Sequence, residues 1–265
     1  MKKTFVILFF SATCLHGYSQ QKEGKVIYER TVQMQIMIND NDQMSQNLPR
    51  TRTDKFELLF GNNQSVWHIS DEQLPEEEGP GGGVQIRMIG GGTDDISFYD
   101  FTKGTSTEQR EMFDKKFVIA DSIKKMNWKL TGETKTILNH VCQQATSQRI
   151  GTRMTMNMDN GKMERKELPD TSAIIAWFAP DIPVAAGPAE YQGQLPGLIL
   201  EIDINKGRQV FKATEISPKA DIAAIKEPKS GKKVTRDEFK KETQKMMEEM
   251  EKNNGGSRRD IRINN

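Results

Sequence analysis

The stretch Leu195-Pro196-Gly197-Leu198-Ile199-Leu200-Glu201-Ile202-Asp203-Ile204 joins a turn to a strand. Proline presets φ at the second position of a turn and glycine accepts a positive φ at the third, so residues 195–198 predict a type II turn. From Leu198 onward, every second residue is apolar, and Glu201 and Asp203 fall on the opposite face. This period-two pattern predicts a core strand that begins directly after the turn.

The same signal recurs on both sides of this stretch. Strands are predicted at 25–38, 53–59, 65–69, 96–101, 105–112, 116–121, 128–131, 135–147, 152–158, 173–179 and 209–216. Short turns join them without alternating helices, which favours an antiparallel sheet. A sheet of this many strands must curl or close to bury its apolar face. We therefore expect a mainly β fold: a curved antiparallel sheet, half-open and barrel-like, with a concave apolar groove. A closed barrel is the alternative.

The predicted sheet domain spans residues 20–252, and its C-terminal end departs from the strand pattern. Thr235-Arg236-Asp237-Glu238 is a capping box, and Phe239, Met246, Met247 and Met250 follow at helical spacing, so one C-terminal helix is expected. The tail at 253–265 is expected to be disordered. Within the domain, the density of glycine at 72–95 predicts a mobile loop.

The N-terminus predicts export. Lys2 and Lys3 precede a short apolar run at 5–10, and small residues at Gly17 and Ser19 fit a signal peptide cleaved after Ser19. A lipoprotein signal at Cys14 is the alternative, although residues 11–13 fit that signal poorly. No later run reaches the roughly 18 apolar residues of a spanning helix. The expected location is the periplasm, with association at the outer membrane through a protein partner as an option.

Charge and cysteine content narrow the class further. The chain has 265 residues, with 38 basic and 37 acidic residues and a formal net charge of +1. This balance argues against nucleic-acid binding, which needs a basic surface. Removal of residues 1–19 removes two lysines and no acid, so the mature charge is 36 − 37 = −1. Cys142 is then the one remaining cysteine, and it cannot form an internal disulfide.

One segment carries a family resemblance. Trp177 begins an aromatic-rich stretch that continues through Pro183, Gly187 and Pro188 to Gly193-Gln194-Leu195-Pro196-Gly197-Leu198-Ile199. This segment resembles the GLPGLI family of exported bacterial proteins, which is named for that hexapeptide. The resemblance implies export, but it implies no activity, because the family has no established one.

The chain departs from the family pattern in two places. Gln194 replaces the first glycine of the hexapeptide, and Asn139-His140 replaces the usual Gly-Tyr before Cys142. The first departure questions whether the leading glycine is indispensable. A structural role for the motif, at turns between core strands, is weighed against a role in presenting a ligand or partner loop.

Catalytic signals are weak. The mature chain holds two histidines, His68 and His140, and no recognised hydrolase, zinc-protease or phosphate-loop motif. His140 and Cys142 are two residues apart and would share a face of a strand, but a packed thiol beside an imidazole is the simpler interpretation. Asp181 is expected to bond to backbone amides in its own turn.

Methionine is the one compositional excess, at 14 residues. Met154, Met156 and Met158 occur at strand spacing on one face, and thioethers suit a soft metal such as Cu(I). His140 and Cys142 could add ligands if their strand pairs alongside. The alternative is that methionine fills a core or lines an adaptable groove.

The sequence therefore favours an exported, non-catalytic binding or structural module of the cell envelope. An apolar ligand or an envelope protein is the expected partner, and Trp177, Phe178, Tyr191 and residues 195–199 are expected to shape the groove. Soft-metal handling through the methionines is the second hypothesis. No other cofactor is expected.

Overall fold

The computed structural model of the chain describes residues 21–33, 51–73, 95–112, 114–159 and 162–255. Four features predicted from the sequence lie outside these ranges: the signal peptide at 1–19 with Cys14, the end of the first strand at 34–38, residues 74–94 of the glycine-rich loop and residues 256–265 of the tail.

In the described part of the chain, twelve strands form one sheet and one α-helix follows them. The strands are β1 (Gly24–Gln33), β2 (Thr51–Gly61), β3 (Gln64–Ile69), β4 (Ile96–Asp100), β5 (Thr105–Met112), β6 (Lys115–Ser122), β7 (Lys129–Ile137), β8 (His140–Asp159), β9 (Lys162–Ala179), β10 (Leu198–Ile204), β11 (Gln209–Ser217) and β12 (Lys232–Val234). The helix, α1, spans Arg236–Gly255.

The order of strands in the sheet is β12-β6-β5-β4-β3-β2-β1-β11-β10-β9-β8-β7. Every neighbouring pair is antiparallel except β12 with β6, which is parallel. The two ends of this order do not pair with each other, so the sheet is open. The predicted mainly β, antiparallel fold with a C-terminal helix is confirmed, and the closed-barrel alternative is wrong.

The main core lies where the first and last strands of the domain meet. β1 pairs with β2 on one side and with β11 on the other, so residues distant in sequence share one apolar face. The most buried large side chains of this core are Tyr28, Phe60, Phe178, Tyr191 and Leu200. Because β11 and β10 close onto β1 late in the chain, this core needs nearly the whole domain.

A buried hydrogen bond crosses this core. The hydroxyl of Tyr28 on β1 donates to the carbonyl oxygen of Ile199 on β10 at 2.5 Å. The β9–β10 ladder has a register shift between Ile199 and Glu201, so Leu200 is an extra residue there. A bulge of this kind locally disrupts the ladder. At this irregularity the Ile199 carbonyl accepts a hydrogen bond from the Tyr28 side chain.

Helix α1 docks on β6 through apolar and ionic contacts. The rings of Phe239 and Phe117 meet edge to face with centroids 5.3 Å apart, and Met246 is buried in the same cluster. Arg236 reaches Glu108 on β5 at 2.5 Å. Burial by itself raises the pKa of Glu108, but Arg110 and Arg236 outweigh it and hold this pKa below its usual value.

The predicted capping box is confirmed. The backbone N–H of Thr235 donates to the Glu238 carboxylate at 2.7 Å, and the N–H of Glu238 donates to the Thr235 hydroxyl at 3.2 Å. The side chains of Met247 and Met250 lie outside the described part of the structure.

Strands β8 and β9 continue beyond the rest of the sheet as a two-stranded ribbon. β7 pairs with β8 only as far as Thr146, and β10 pairs with β9 only from Ile174 onward. The pairs from Gln148↔Ala173 to Asp159↔Lys162 therefore involve β8 and β9 alone. At about 3.3 Å per residue, this ribbon of twelve pairs is about 40 Å long.

The Tyr28 hydrogen bond can be tested with Tyr28→Phe. The change leaves the buried Ile199 carbonyl without its donor, so we expect the free energy of unfolding to fall by about 1–3 kcal/mol. Urea unfolding measures the loss. Tyr191→Phe is the control, because Tyr191 is also buried but its hydroxyl has no hydrogen-bond partner among the described residues. Equal losses in the two variants would contradict the role of the bond.

Candidate functional site

The family-like motif lies in the segment that joins β9 to β10, residues 180–197, here called the crossover segment. Its apolar side chains are buried against the main core: Ile182, Val184, Ala186, Tyr191 and Leu195. Its backbone bonds to the start of β10, where the N–H groups of Leu198 and Ile199 donate to the carbonyls of Ile182 and Ala186, each at 3.0 Å. The crossover segment therefore packs over the main core on one face of the sheet.

Gly197 does not have the positive φ that a type II turn requires, so that prediction is wrong. The glycine serves close approach instead. A Cβ at this position would overlap the carbonyl oxygen of Ala179 and lie 2.9 Å from the Ala179 carbonyl carbon and 3.0 Å from Phe178 Cδ2. The positive φ of this region belongs to Gly193, at +72°, and to Ala189, at +49°.

Gln194, which departs from the hexapeptide, ties the crossover segment to the β6–β7 connection. Its Oε1 accepts from the backbone N–H of Met126 at 2.9 Å and from the indole N–H of Trp128 at 3.4 Å. Its Nε2 donates to the carbonyls of Lys124 at 2.9 Å and Gln192 at 3.3 Å. A glycine at this position could make none of these side-chain bonds.

The remaining motif residues also have structural positions. A Cβ on Gly187 would lie 3.0 Å from Ile199 Cδ1, so Gly187 allows close packing of the segment on β10. Pro183 lies between the buried Ile182 and Val184, and Pro188 precedes a short 3-10 turn at Ala189–Tyr191. Trp177 on β9 is half-buried beneath the ammonium of Lys135, which lies 4.4 Å from the ring centroid.

Two buried polar atoms of the crossover segment, the hydroxyl of Tyr191 and Nε2 of Gln192, have no hydrogen-bond partner among the described residues. The Oε1 of Gln192 accepts from the hydroxyl of Ser65 on β3. Burial raises the pKa of Tyr191, so its phenol stays protonated at neutral pH.

His140 and Cys142 have different hydrogen-bond partners. The Nδ1 of His140 lies 2.6 Å from the Asp181 carboxylate, so Asp181 bonds to this ring, and its expected role in anchoring its own turn stays a prediction. The thiol of Cys142 is buried and lies 3.6 Å from the carbonyl oxygen of His140. Burial raises the pKa of Cys142 to about 11, which keeps it a thiol at neutral pH.

The expected five-residue metal set is not brought together. His140 and Cys142 begin β8, whereas Met154, Met156 and Met158 lie on its distal half, so the two groups share one strand instead of adjacent strands. Twelve residues separate Cys142 from Met154, or about 40 Å of strand. The side chains of these three methionines lie outside the described part of the structure. Within that part, no three or more His, Cys, Asp or Glu residues form a metal-binding group.

A cleft of about 570 Å³ lies on the opposite side of the sheet from the aromatic core. The segment that follows β11, residues 218–231, crosses this side, and Ala220, Ile222 and Ile225 pack against Leu59, Val66 and Phe98. The cleft opens beside these contacts. Its apolar wall consists of Leu59 and Val66 with Ile69, Ile96 and Ala224.

Polar groups line the rim of the cleft. His68 lies with its Nε2 3.5 Å from Glu57 and its Nδ1 2.7 Å from the carbonyl of Ile69. Glu227 accepts from the hydroxyl of Thr107 at 2.7 Å. Asp71, Lys226 and Lys229 are exposed at the rim. An apolar wall with a few polar groups is the usual composition of a small-molecule site.

Sequence reasoning missed this cleft. One signal was available, because Leu58, Leu59 and Phe60 are consecutive apolar residues in β2 and imply burial on both faces of the sheet. The segment that closes the second face, 218–231, has no periodic pattern, so the sequence did not indicate where it would lie.

Part of this chain matches a sequence-family model, and its fold is similar to that of solved structures. Residues 128–201 match a family model described as "Protein of unknown function (Porph_ging)". This match covers β7 to the start of β10 and includes the crossover segment. No curated protein matches the chain.

Among solved structures, PNGF-II is similar in two crystal forms. The P21 form has a TM-score of 0.51 at 15% identity and the C2 form 0.52 at 14%, each over 84% of this chain. The similarity spans 34% and 33% of the PNGF-II chains, about one third of their length. At this identity the similarity concerns the fold alone. The chain is thus an open, mostly antiparallel β-sheet protein whose middle matches a family of unknown function. Among the described residues, no helix has the length and apolar character needed to cross a membrane.

The close approach at Gly197 can be tested with Gly197→Ala. The added methyl group would overlap the backbone of Ala179, which cannot move without displacing β9, so we expect a loss of about 2–4 kcal/mol in the free energy of unfolding. Gly151→Ala on exposed β8 is the control, because a Cβ there meets nothing within 4 Å. Unfolding in urea distinguishes the two. A Gly197→Ala variant as stable as Gly151→Ala would disprove the steric requirement.

Proposed function

We propose that this protein is an exported, non-catalytic binding module of the bacterial cell envelope and that it binds an apolar ligand in the cleft on β2–β5. The single observation that carries the proposal is the cleft, with its volume of about 570 Å³ and its apolar wall. Cavities of roughly 300–1,000 Å³ are typical of small-molecule sites.

The cleft replaces the surface suggested by the sequence. Most of the motif residues expected to shape a groove are buried in the main core, so they are not available to a ligand: Phe178, Tyr191, Leu195, Leu198 and Ile199. Trp177 is half-buried and Pro196 is exposed. The cleft wall differs because Ile69, Ile96 and Ala224 remain partly or largely exposed. A ligand that covered these side chains would gain stabilisation from buried apolar area.

Export and envelope location rest on the sequence. Residues 1–19 fit a signal peptide, and the motif at 193–199 resembles the GLPGLI family of exported proteins. The Porph_ging match at 128–201 covers the same motif, and its description gives neither a function nor a location. The location we propose is the periplasm, free or held at the outer membrane by a protein partner.

Binding in the cleft can be tested with N-phenyl-1-naphthylamine, an uncharged apolar dye that becomes fluorescent in an apolar environment. We expect saturable binding by the wild-type protein. Ala224→Trp should weaken it at least tenfold, because Ala224 lines the cleft and the indole would occupy its opening. Fluorescence titration measures the dissociation constant.

The neighbouring variant Ala223→Trp is the matched control. Ala223 is also exposed but does not line the cleft, so dye binding should be unchanged. Absence of saturable binding by the wild type, or equal weakening in both variants, would refute the cleft as a ligand site.

The register of the ribbon favours a second candidate function, Cu(I) binding by methionine. Residues directly opposite in an antiparallel pair share a face, and Met163 on β9 lies opposite Met158 on β8. Met154 and Met156 fall on the same face by alternation. The backbone thus groups four methionine positions, and thioether ligands suit Cu(I).

For this candidate we expect the triple variant Met154→Leu, Met156→Leu, Met158→Leu to bind Cu(I) at least tenfold more weakly than the wild type. Leucine keeps the apolar bulk and removes the sulfur, so the stability of the fold should change little. Competition with a chromogenic Cu(I) chelator gives the affinities. The same affinity in both proteins would show that the three methionines are not Cu(I) ligands.

A further inference from the structure

The ribbon lacks the support that short sheets normally need. Its twelve pairs have no third strand on either side among the described residues. At its base both faces are open: Ile150 is 83% exposed, Leu168 is 42% exposed, and a Cβ on Gly151 would meet nothing within 4 Å. Isolated two-stranded ribbons are at best marginally stable in water, whereas a third strand adds stability.

The two outer edges of the ribbon are not equivalent. Pro169 on β9 lies opposite Thr152. Proline has no N–H, so it is accommodated where the backbone faces away from the partner strand. It therefore interrupts the outer edge of β9, as proline does on protected edges. The outer edge of β8 has no proline between Gln148 and Asp159, so it can accept a full ladder.

The Pro169–Thr152 pair also shows which residues of β8 direct their backbone N–H and C=O groups away from β9. In an antiparallel pair, both members of such a non-bonded position direct their backbone groups away from each other. The backbone N–H and C=O groups of Thr152 therefore point to the outer edge. By alternation, so do those of Ile150, Met154, Met156 and Met158. Gln148 continues this row toward the sheet.

We propose that the outer edge of β8 pairs antiparallel with the same edge of a second copy of this chain, centred on Met154, to form a four-stranded sheet across a two-fold dimer.

The charges of β8 favour a second copy as the occupant, and they favour this register over the one centred on Arg153. Centring on Met154 places Arg149 opposite Asp159 of the other copy, twice by symmetry, and places Arg153 opposite Thr155. A shift that centres the pairing on Arg153 would instead oppose two arginines, and like charges directly opposite are destabilising. Arg149 also contacts Glu190 of its own chain at 2.7 Å, and a guanidinium has enough donors for both carboxylates.

The same register joins the apolar positions of the two copies. Ile150 falls opposite Met158, Thr152 opposite Met156, and Met154 opposite its own copy. This face is continuous across the two-fold axis, as an isologous interface requires.

Cysteine cross-linking tests the register in the full chain carrying Cys14→Ser, in which the buried Cys142 is the remaining native cysteine. Met154→Cys should form a disulfide-linked dimer with oxidised glutathione, because the two cysteines would face each other across the axis. Glu167→Cys is the matched control. Residue 167 lies opposite Met154 on the ribbon but on β9, so two copies joined through β8 keep these positions apart.

Light scattering after size exclusion gives an independent measure. At about 100 µM, the mature chain should have twice the mass of one copy. Met154→Pro should weaken association at least tenfold, because it removes an outward N–H at the centre of the ladder. Met154→Leu should remain a dimer.

Three results would overturn the proposal. They are a monomeric wild-type chain at this concentration, a Met154→Pro variant that dimerises as well as the wild type, and cross-linking through Glu167→Cys but not through Met154→Cys. The cysteine result stands even if the proline variant fails to fold, because Met154→Cys adds no backbone constraint.

Discussion

The close approach of Gly197 to the backbone of Ala179 is the constraint on which the rest of the core depends. β9 ends at Ala179, and the chain must return to start β10 at Leu198 directly beside it. The eighteen intervening residues have no place in the sheet, so they cover its face instead. Because Gly197 has no side chain, Ile199 can reach the position where its carbonyl accepts the Tyr28 hydroxyl. The absence of a Cβ at Gly197 thus allows the crossover segment, β10 and β1 to pack together.

The residues that build the core differ from the residues that are available for binding. Most of the motif residues are buried in the core, the nearby His140 bonds to Asp181, and Cys142 is buried. The surfaces that remain are the cleft under residues 218–231 and the ribbon of β8 and β9. They lie on different strands, so a ligand in the cleft and a second copy on the ribbon need not compete.

Gln194 illustrates how a departure from a family pattern can be structural. A leading glycine would leave the backbone of residues 124–126 without its side-chain partners, whereas the glutamine amide bonds to Lys124, Met126 and Trp128. The neighbouring Gly193 has a φ of +72°, a conformation that glycine adopts without steric cost. The doubt about an indispensable leading glycine therefore has a physical answer in this chain.

The sequence by itself determined the local features: alternation predicted the β10 strand, the Thr235–Glu238 box predicted the start of α1, and the run of antiparallel strands predicted the sheet class. These features depend on residues close together in the chain. The reason for Gly197, the bond between His140 and Asp181, and the cleft depend on which distant backbones meet. The distance between Cys142 and Met154 also depends on tertiary structure, because only the pairing register reveals that β8 is one long strand. Periodicity records which face a residue occupies, but the neighbour on that face is decided by tertiary packing.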